Sequence, residues 1–245
     1  MRKKIVILAA GKSKRIKMNL SKVLVPIAGK PMIEHLVKSV INSGVDSKPI
    51  IVVSADNENL INQALTGYSC QLVVQDKQLG TGHALACCKK YLDKKADYII
   101  CFYGDHPFIK NQTIKKLAAS INGPITMMTV KLKDFNSWRK NFYCWGRIIR
   151  NNGQVKEIVE FKDAADEIKQ IKEVNPGLYV FEASWLWQNI KKLDNKNAQK
   201  EYYLTDLIKM ACQQNLVINS FSIEPKEAMG INSQEELAIA KKLLS

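Results

Sequence analysis

The sequence predicts an α/β fold, a mostly parallel sheet flanked by helices, on three observations. Short, near-continuous apolar runs recur through the first half of the 245 residues, amphipathic stretches of helical period follow them, and the second half changes to hairpin patterning. Strands covered on both faces lack polar alternation, and strands alternating with helices imply parallel pairing through right-handed crossovers.

Residues 5–10 read as the first strand, and residues 31–42 as a helix with Ile33, Leu36, Val37, Val40 and Ile41 on one face. Strand 50–53, helix 57–65, strand 72–75, helix 82–92, strand 98–103 and helix 112–120 follow. In the second half, 147–150 and 155–160 form a hairpin whose turn is marked by Asn152-Gly153. Residues 173–181 read as a strand broken by Pro176-Gly177, 184–193 and 204–213 as helices, and 217–223 as a strand. The last helix, 233–244, has Ser233 as its cap and Glu236 three residues on. No internal repeat, low-complexity tract or long linker divides the chain, so one domain is expected.

Apolar residues make up 46% and charged residues 24%, ordinary values for a globular protein. The apolar run at 5–10 is too short for a signal peptide and meets Lys12, Lys14 and Arg15, and no stretch nears the roughly 20 apolar residues that span a bilayer. A soluble, cytoplasmic protein is expected. Six cysteines (70, 87, 88, 101, 144 and 212) show no CxxC spacing and read as reduced core residues. The net charge of +14 fits an anionic substrate or a solvated lysine-rich surface; without a nucleic-acid-binding motif, no nucleic-acid partner is expected.

In parallel sheets ligands gather beyond the carboxyl ends of the strands, which directs attention to 9–22, 75–82 and 103–107. The first loop begins Leu8-Ala9-Ala10-Gly11-Lys12-Ser13. Gly11-Lys12-Ser13 resembles the tail of a P-loop, but Val6 stands where that motif needs its first glycine. A small-residue turn followed by basic side chains remains. It admits backbone N–H groups to an anion, with Arg15 and Lys22 to neutralise phosphates; taken alone it reads equally as a solvated basic loop.

Leu8-Ala9-Ala10-Gly11, Arg15 and Lys22-Val23-Leu24 together resemble the signature of nucleotide-sugar pyrophosphorylases. Further motifs follow in order: Gln75 to Ala84 with Gly80-Thr81-Gly82, Tyr103-Gly104-Asp105, Trp145-Gly146-Arg147, Glu160-Phe161-Lys162, Asn197 to Asp206, and Gly230-Ile231-Asn232. Across essentially the whole chain they are similar to the uridylyltransferase half of the bacterial bifunctional N-acetylglucosamine-1-phosphate uridylyltransferases.

That resemblance implies a Rossmann-like nucleotidyltransferase fold with a smaller β-rich sugar lobe: 1–125 for nucleotide, 126–232 for sugar phosphate, 233–245 a terminal helix. It implies UTP and a sugar 1-phosphate, most readily N-acetylglucosamine 1-phosphate, as substrates, and Mg2+ as cofactor. Arg15, Lys22 and Asp105 would be catalytic, and Asp105 with Asn232 would hold the metal. A lone Asp after a strand is more commonly a turn or cap residue; the pairing with Asn232 comes from the resemblance. Leu8, Ala9, Ala10, Gly11, Lys22, Tyr103 and Gly104 would line the nucleotide, and Gln75, Gly80 and Thr81 the uracil. An amide offers donor and acceptor to a base edge presenting both. Gly146, Glu160 and Asn175 would take the sugar. His83 and His106 receive no catalytic role, and Trp185 and Trp187 are read as packing residues.

The chain departs from the pattern in places. It carries none of the hexapeptide repeats of the acetyltransferase half, so acetyl transfer is not expected. Ser21 stands where proline is common, Pro176 replaces a threonine, and the 133–143 stretch, with Trp138, Phe142 and Tyr143, is long enough to reshape the sugar pocket. Another sugar phosphate or NTP is therefore the nearest alternative, and a non-catalytic sugar-nucleotide binder a second.

Overall fold

Alternate side chains of one strand enter two different cores, which is why the apolar runs are continuous. In the computed structural model, which describes residues 1–11 and 21–244, strand β1 (Lys3–Leu8) sends Val6 and Leu8 into one core and Ile5 and Ile7 into the other. Burying such a side chain contributes roughly 1.5–3 kcal/mol, so one polar substitution on either face is costly. A third core, with Val25, Met32, Val130, Phe142, Val174, Met229 and Leu237, underlies the second half.

The strands after β1 are β2 (Pro26–Ile27), β3 (Lys30–Pro31), β4 (Ile50–Val53), β5 (Gln71–Val74), β6 (Tyr98–Tyr103) and β7 (Ile125–Lys131). They continue with β8 (Arg147–Asn151), β9 (Gln154–Val159), β10 (Glu173–Val174), β11 (Tyr179–Glu182) and β12 (Ile218–Ser222). The main sheet runs β5-β4-β1-β6-β11-β7-β10-β8-β9, with β12 paired to β7; β2 and β3 form a separate hairpin. The segment β5-β4-β1-β6 is parallel throughout, as the alternation predicts. Antiparallel pairing enters with β11 and continues across β10, β8 and β9. Leu8 pairs with Tyr103, so β1 and β6 end together and their outgoing loops emerge side by side.

Helices Met32–Asn42, Glu58–Ala64, Asn111–Ala119, Thr205–Gln213 and Gln234–Leu244 lie within one or two residues of expectation. The hairpin turn is as predicted: Asn152 and Gly153 have φ of 47° and 78°, the left-handed pair that a type I′ turn requires. The expected helix 82–92 divides into Thr81–Ala86 and Lys89–Leu92, because the Cys88 N–H reaches back three residues to Leu85 and tightens the turn. The expected strand 173–181 becomes β10 and β11, separated by Asn175-Pro176-Gly177-Leu178. Strand β7 escapes sequence reading because Thr126 and Thr129 interrupt its apolar run, although both are buried. Cys88 and Cys101 are core residues, and all six cysteines are free thiols. Among the described residues, no helix is long and apolar enough to cross a membrane.

Candidate active site

The carboxyl ends of β1 and β6 carry a cluster of charged and polar side chains. Beyond β1, the Ala9 N–H still bonds the Val52 carbonyl at 2.8 Å, and the Gly104 N–H bonds Leu8 at 2.9 Å, so both loops leave the sheet held. A side chain at Gly104 would press on Val23 Cγ1 at 3.2 Å and Leu8 O at 3.3 Å, so anything larger than glycine would make these neighbours give by a few tenths of an ångström. Lys22 opens a single 3-10 turn, Lys22–Leu24, whose buried Val23 and Leu24 anchor it.

Three sequence-predicted residues converge here from positions far apart in the chain. Lys22 Nζ lies 2.6 Å from Asp105 Oδ2 and 2.6 Å from Asn232 Oδ1. Asp105 is 7% exposed. Burial alone would push its carboxyl up, but Lys22, with His106 adding in the same direction, holds it below the usual carboxylate range. Asn232 is delivered by the Ile231 N–H, bonded to the Asp105 carbonyl at 3.0 Å. Its own N–H donates to Glu236, while the Ser233 hydroxyl accepts the Glu236 N–H at 3.1 Å, so the expected helix cap also fixes Asn232. Burial pushes the Glu236 carboxyl up.

One carboxylate oxygen and one carboxamide oxygen thus share a single cationic neighbour. That donor set fits a hard divalent ion completed by phosphate and water oxygens. Among the described residues, no group of three or more His, Cys, Asp or Glu offers an all-protein metal cage. Arg15 lies outside the described residues.

The second cluster surrounds the end of β5. Gln75 is 3% exposed, and its Nε2 reaches the Gly80 carbonyl at 3.2 Å and His83 Nδ1 at 2.9 Å, which makes Nδ1 the unprotonated nitrogen. His83, given no role from sequence, therefore braces Gln75. Gly80 has φ +105°, and a Cβ there would meet Tyr202 O at 2.7 Å. The Gly82 N–H bonds Tyr202 at 2.8 Å, and Thr81 Oγ1 accepts the Leu204 N–H at 3.1 Å, so the 75–84 and 197–206 motifs dock on each other. Gln78 joins this cluster to the first, donating to the Ala10 carbonyl at 2.9 Å.

The third cluster holds Gly146, Glu160 and Asn175 together. The Asn175 N–H bonds the Gly146 carbonyl at 2.9 Å, and a Cβ on Gly146 would lie 3.5 Å from Glu160 Oε2. Burial pushes the Glu160 carboxyl up, although the Thr205 hydroxyl donates to it at 3.1 Å. Asn175 Nδ2 donates to the Tyr179 hydroxyl at 2.6 Å, and Asn175 Oδ1 accepts the Gly177 N–H at 3.0 Å. Tyr179 and Thr205 were not legible as site residues, since each sits in an apolar or helical pattern that accounts for it alone. Arg147, fully buried, donates to the Tyr143, Trp145 and Lys169 carbonyls and lies over the rings of Phe135, Tyr143 and Phe161. It ties the long 133–145 stretch to this cluster.

Gly177 has φ +75°, and a Cβ there would fall 2.1 Å from Tyr103 Cε2. Gly177→Ala is expected to cost about 2–4 kcal/mol, the sum of left-handed strain and overpacking. Urea denaturation measures it; a loss below about 1 kcal/mol would show that the loop yields without strain.

Residues 5–195 match the family described as the MobA-like NTP transferase domain. The chain is 38% identical over 241 residues to the bifunctional protein GlmU of Caldicellulosiruptor saccharolyticus, covering 98% of this chain and 51% of that one. It is 36% identical over 245 residues to the bifunctional protein GlmU of Desulfotalea psychrophila, covering 98% of this chain and 70% of the relative. The chain therefore spans about half the length of most curated relatives it matches. A solved structure of a putative glucose-1-phosphate thymidylyltransferase from Bacillus anthracis superposes with TM-score 0.76 at 20% identity, covering 98% of this chain and 94% of that one. An inositol-1-phosphate CTP transferase from T. maritima gives 0.75 at 17% identity, covering 100% and 95%. At these identities the superpositions speak to the fold.

Proposed function

The chain belongs to the MobA-like NTP transferase family, and from that premise we propose that it transfers a uridylyl group from UTP to a sugar 1-phosphate, releasing pyrophosphate. The observation that carries this reading is the meeting of Lys22, Asp105 and Asn232 within 2.6 Å contacts at the ends of β1 and β6. A phosphate oxygen of the sugar phosphate attacks the α-phosphorus of UTP in line; the new P–O bond forms as the bond to the β-phosphate breaks, and pyrophosphate leaves with the electron pair. No protein nucleophile is needed. The protein brings two anions together and stabilises charge moving toward the leaving group.

Lys22 offsets phosphate charge, and the Leu8–Gly11 turn offers backbone N–H groups to the triphosphate. Asp105 and Asn232 would hold Mg2+, which when bound supplies charge neutralisation at the reacting phosphates. Gln75 Nε2 is committed within the protein, which leaves its carbonyl oxygen as acceptor for the uracil imide N–H. Gly146, Glu160 and Asn175 take the sugar hydroxyls, with N-acetylglucosamine 1-phosphate the preferred acceptor. A different sugar 1-phosphate is the second reading, favoured by the use of the Asn175 amide on Tyr179 and Gly177.

A panel of four NTPs against several sugar 1-phosphates, read by pyrophosphate release, tests both. UTP with N-acetylglucosamine 1-phosphate should give the highest kcat/KM. Preference for another pair moves the assignment to the second reading, and no release with any pair removes nucleotidyl transfer.

A further inference from the structure

We propose that Asn57 is a positioning residue for the phosphate turn, an amide latch that joins the chain presenting Ala9–Gly11 to the chain presenting Lys22. The inference rests on the nucleotidyltransferase reading and deepens it. Asn57 is 4% exposed, yet every polar group of its amide is used. Nδ2 donates to the Ala9 carbonyl at 3.0 Å and to Ser21 Oγ at 3.0 Å, and Oδ1 accepts the Ser54 N–H at 2.9 Å. The amide has only one way round, because a backbone N–H only donates and a carbonyl only accepts.

Asparagine before a helix ordinarily caps it. Asn57 precedes the helix Glu58–Ala64, but its side chain makes no bond to that helix's N–H groups. The amide points instead across to the ends of two other segments. Ser21 immediately precedes Lys22, and its carbonyl accepts the Leu24 N–H at 2.9 Å, so the 3-10 turn carrying Lys22 begins at the latched residue. The Ala9 carbonyl, on the other side, belongs to the turn that opens toward the nucleotide. One buried amide thus sets how far the Lys22 backbone stands from the small-residue turn. The Lys22 ammonium is bonded to Asp105 and Asn232, and the latch fixes the backbone from which its long flexible stem reaches them. The hydroxyl of Ser21 is the required counterpart: a residue lacking it leaves a buried amide N–H unpaired.

Ser21→Ala removes the acceptor with little volume change. Asn57→Asp keeps the acceptor for Ser54 but sets a carboxylate oxygen against the Ala9 carbonyl. In steady-state kinetics, both should raise KM for UTP about tenfold, the equivalent of one lost hydrogen bond to a buried donor, while KM for the sugar 1-phosphate stays within about twofold. Ser21→Thr, which keeps the hydroxyl, should stay within about twofold of the parent. A merely structural role would instead lower thermal stability and disturb both KM values alike. Unchanged KM for UTP in both disruptive variants would overturn the latch. Hydrogen exchange gives a readout independent of turnover: the Leu24 and Val25 amides, bonded to Ser21 and Lys22, should exchange about tenfold faster in the disruptive variants. Unchanged exchange removes the latch even if the parent protein is active. Faster exchange in the variants, with no pyrophosphate released by the parent, removes the enzyme reading and leaves the latch standing.

Discussion

Lys22→Ala is expected to lower kcat/KM by about 100-fold or more, a loss of roughly 3 kcal/mol of transition-state stabilisation. The ammonium lies 2.6 Å from both Asp105 and Asn232, and on the proposed mechanism it would neutralise the two reacting phosphates. The side chain is 21% exposed against 9% for Asp105, so its removal strands a nearly buried carboxylate rather than a solvated one. A second consequence separates catalysis from structure. Two oxygens that now share the ammonium are left to bind a divalent ion, so Mg2+ should raise the melting temperature of Lys22→Ala more than that of the parent, even as turnover falls. A structural bridge alone predicts the reverse: lower stability with near-normal turnover in the folded fraction. Near-parental kcat/KM would remove Lys22 from the chemistry.

The parallel half of the sheet was legible because its central strands are buried on both faces, so that polar residues such as Lys3, Lys4 and Gln71 stand only at strand starts and leave the apolar runs unbroken. Ile5, Val6, Ile7 and Leu8 announce a strand whichever face each enters. Strand β7 was not legible for the same reason inverted: it is equally central, but Thr126 and Thr129 disguise it. The candidate site residues were named from contiguous motifs, since a motif needs no knowledge of the fold. The structure joins Gly146 to Asn175 and Lys22 to Asp105 and Asn232; Arg15 is not among the described residues. What sequence reading missed are the supports: Asn57, His83, Tyr179, Thr205 and Glu236. Thr205 reaches Glu160 across 45 residues and Asn57 reaches Ala9 across 48, whereas His83, Tyr179 and Glu236 bond residues only eight, four and four positions away; each also fits an ordinary local reading as cap, loop, core or helix residue. A support contributes through its partner, so nothing in its own neighbourhood marks it.

Asp105→Asn probes the other side of the same ion pair, and it should lower kcat by about 100-fold or more at saturating substrates. The substitution keeps the shape, both polar atoms and the 3.0 Å bond from the Ile231 N–H to the Asp105 carbonyl, but it removes the negative charge. A hard divalent ion loses a charged ligand and retains only neutral oxygens, so the Mg2+ concentration for half-maximal rate should rise. Stability follows from the direction of the Asp105 shift. Its folded pKa lies below the unfolded value, chiefly because Lys22 outweighs the cost of burial. The carboxylate therefore contributes stability above the unfolded pKa of about 3.9, and that contribution is lost as pH falls through the folded pKa. The stability difference between parent and Asp105→Asn should be flat near neutrality and shrink below about pH 4, measured by urea denaturation across the pH range. A difference that grows on acidification would mean that the folded pKa lies above the unfolded value. Burial would then outweigh Lys22, and the ion pair on which the chemistry assigned to this cluster rests would have to be abandoned.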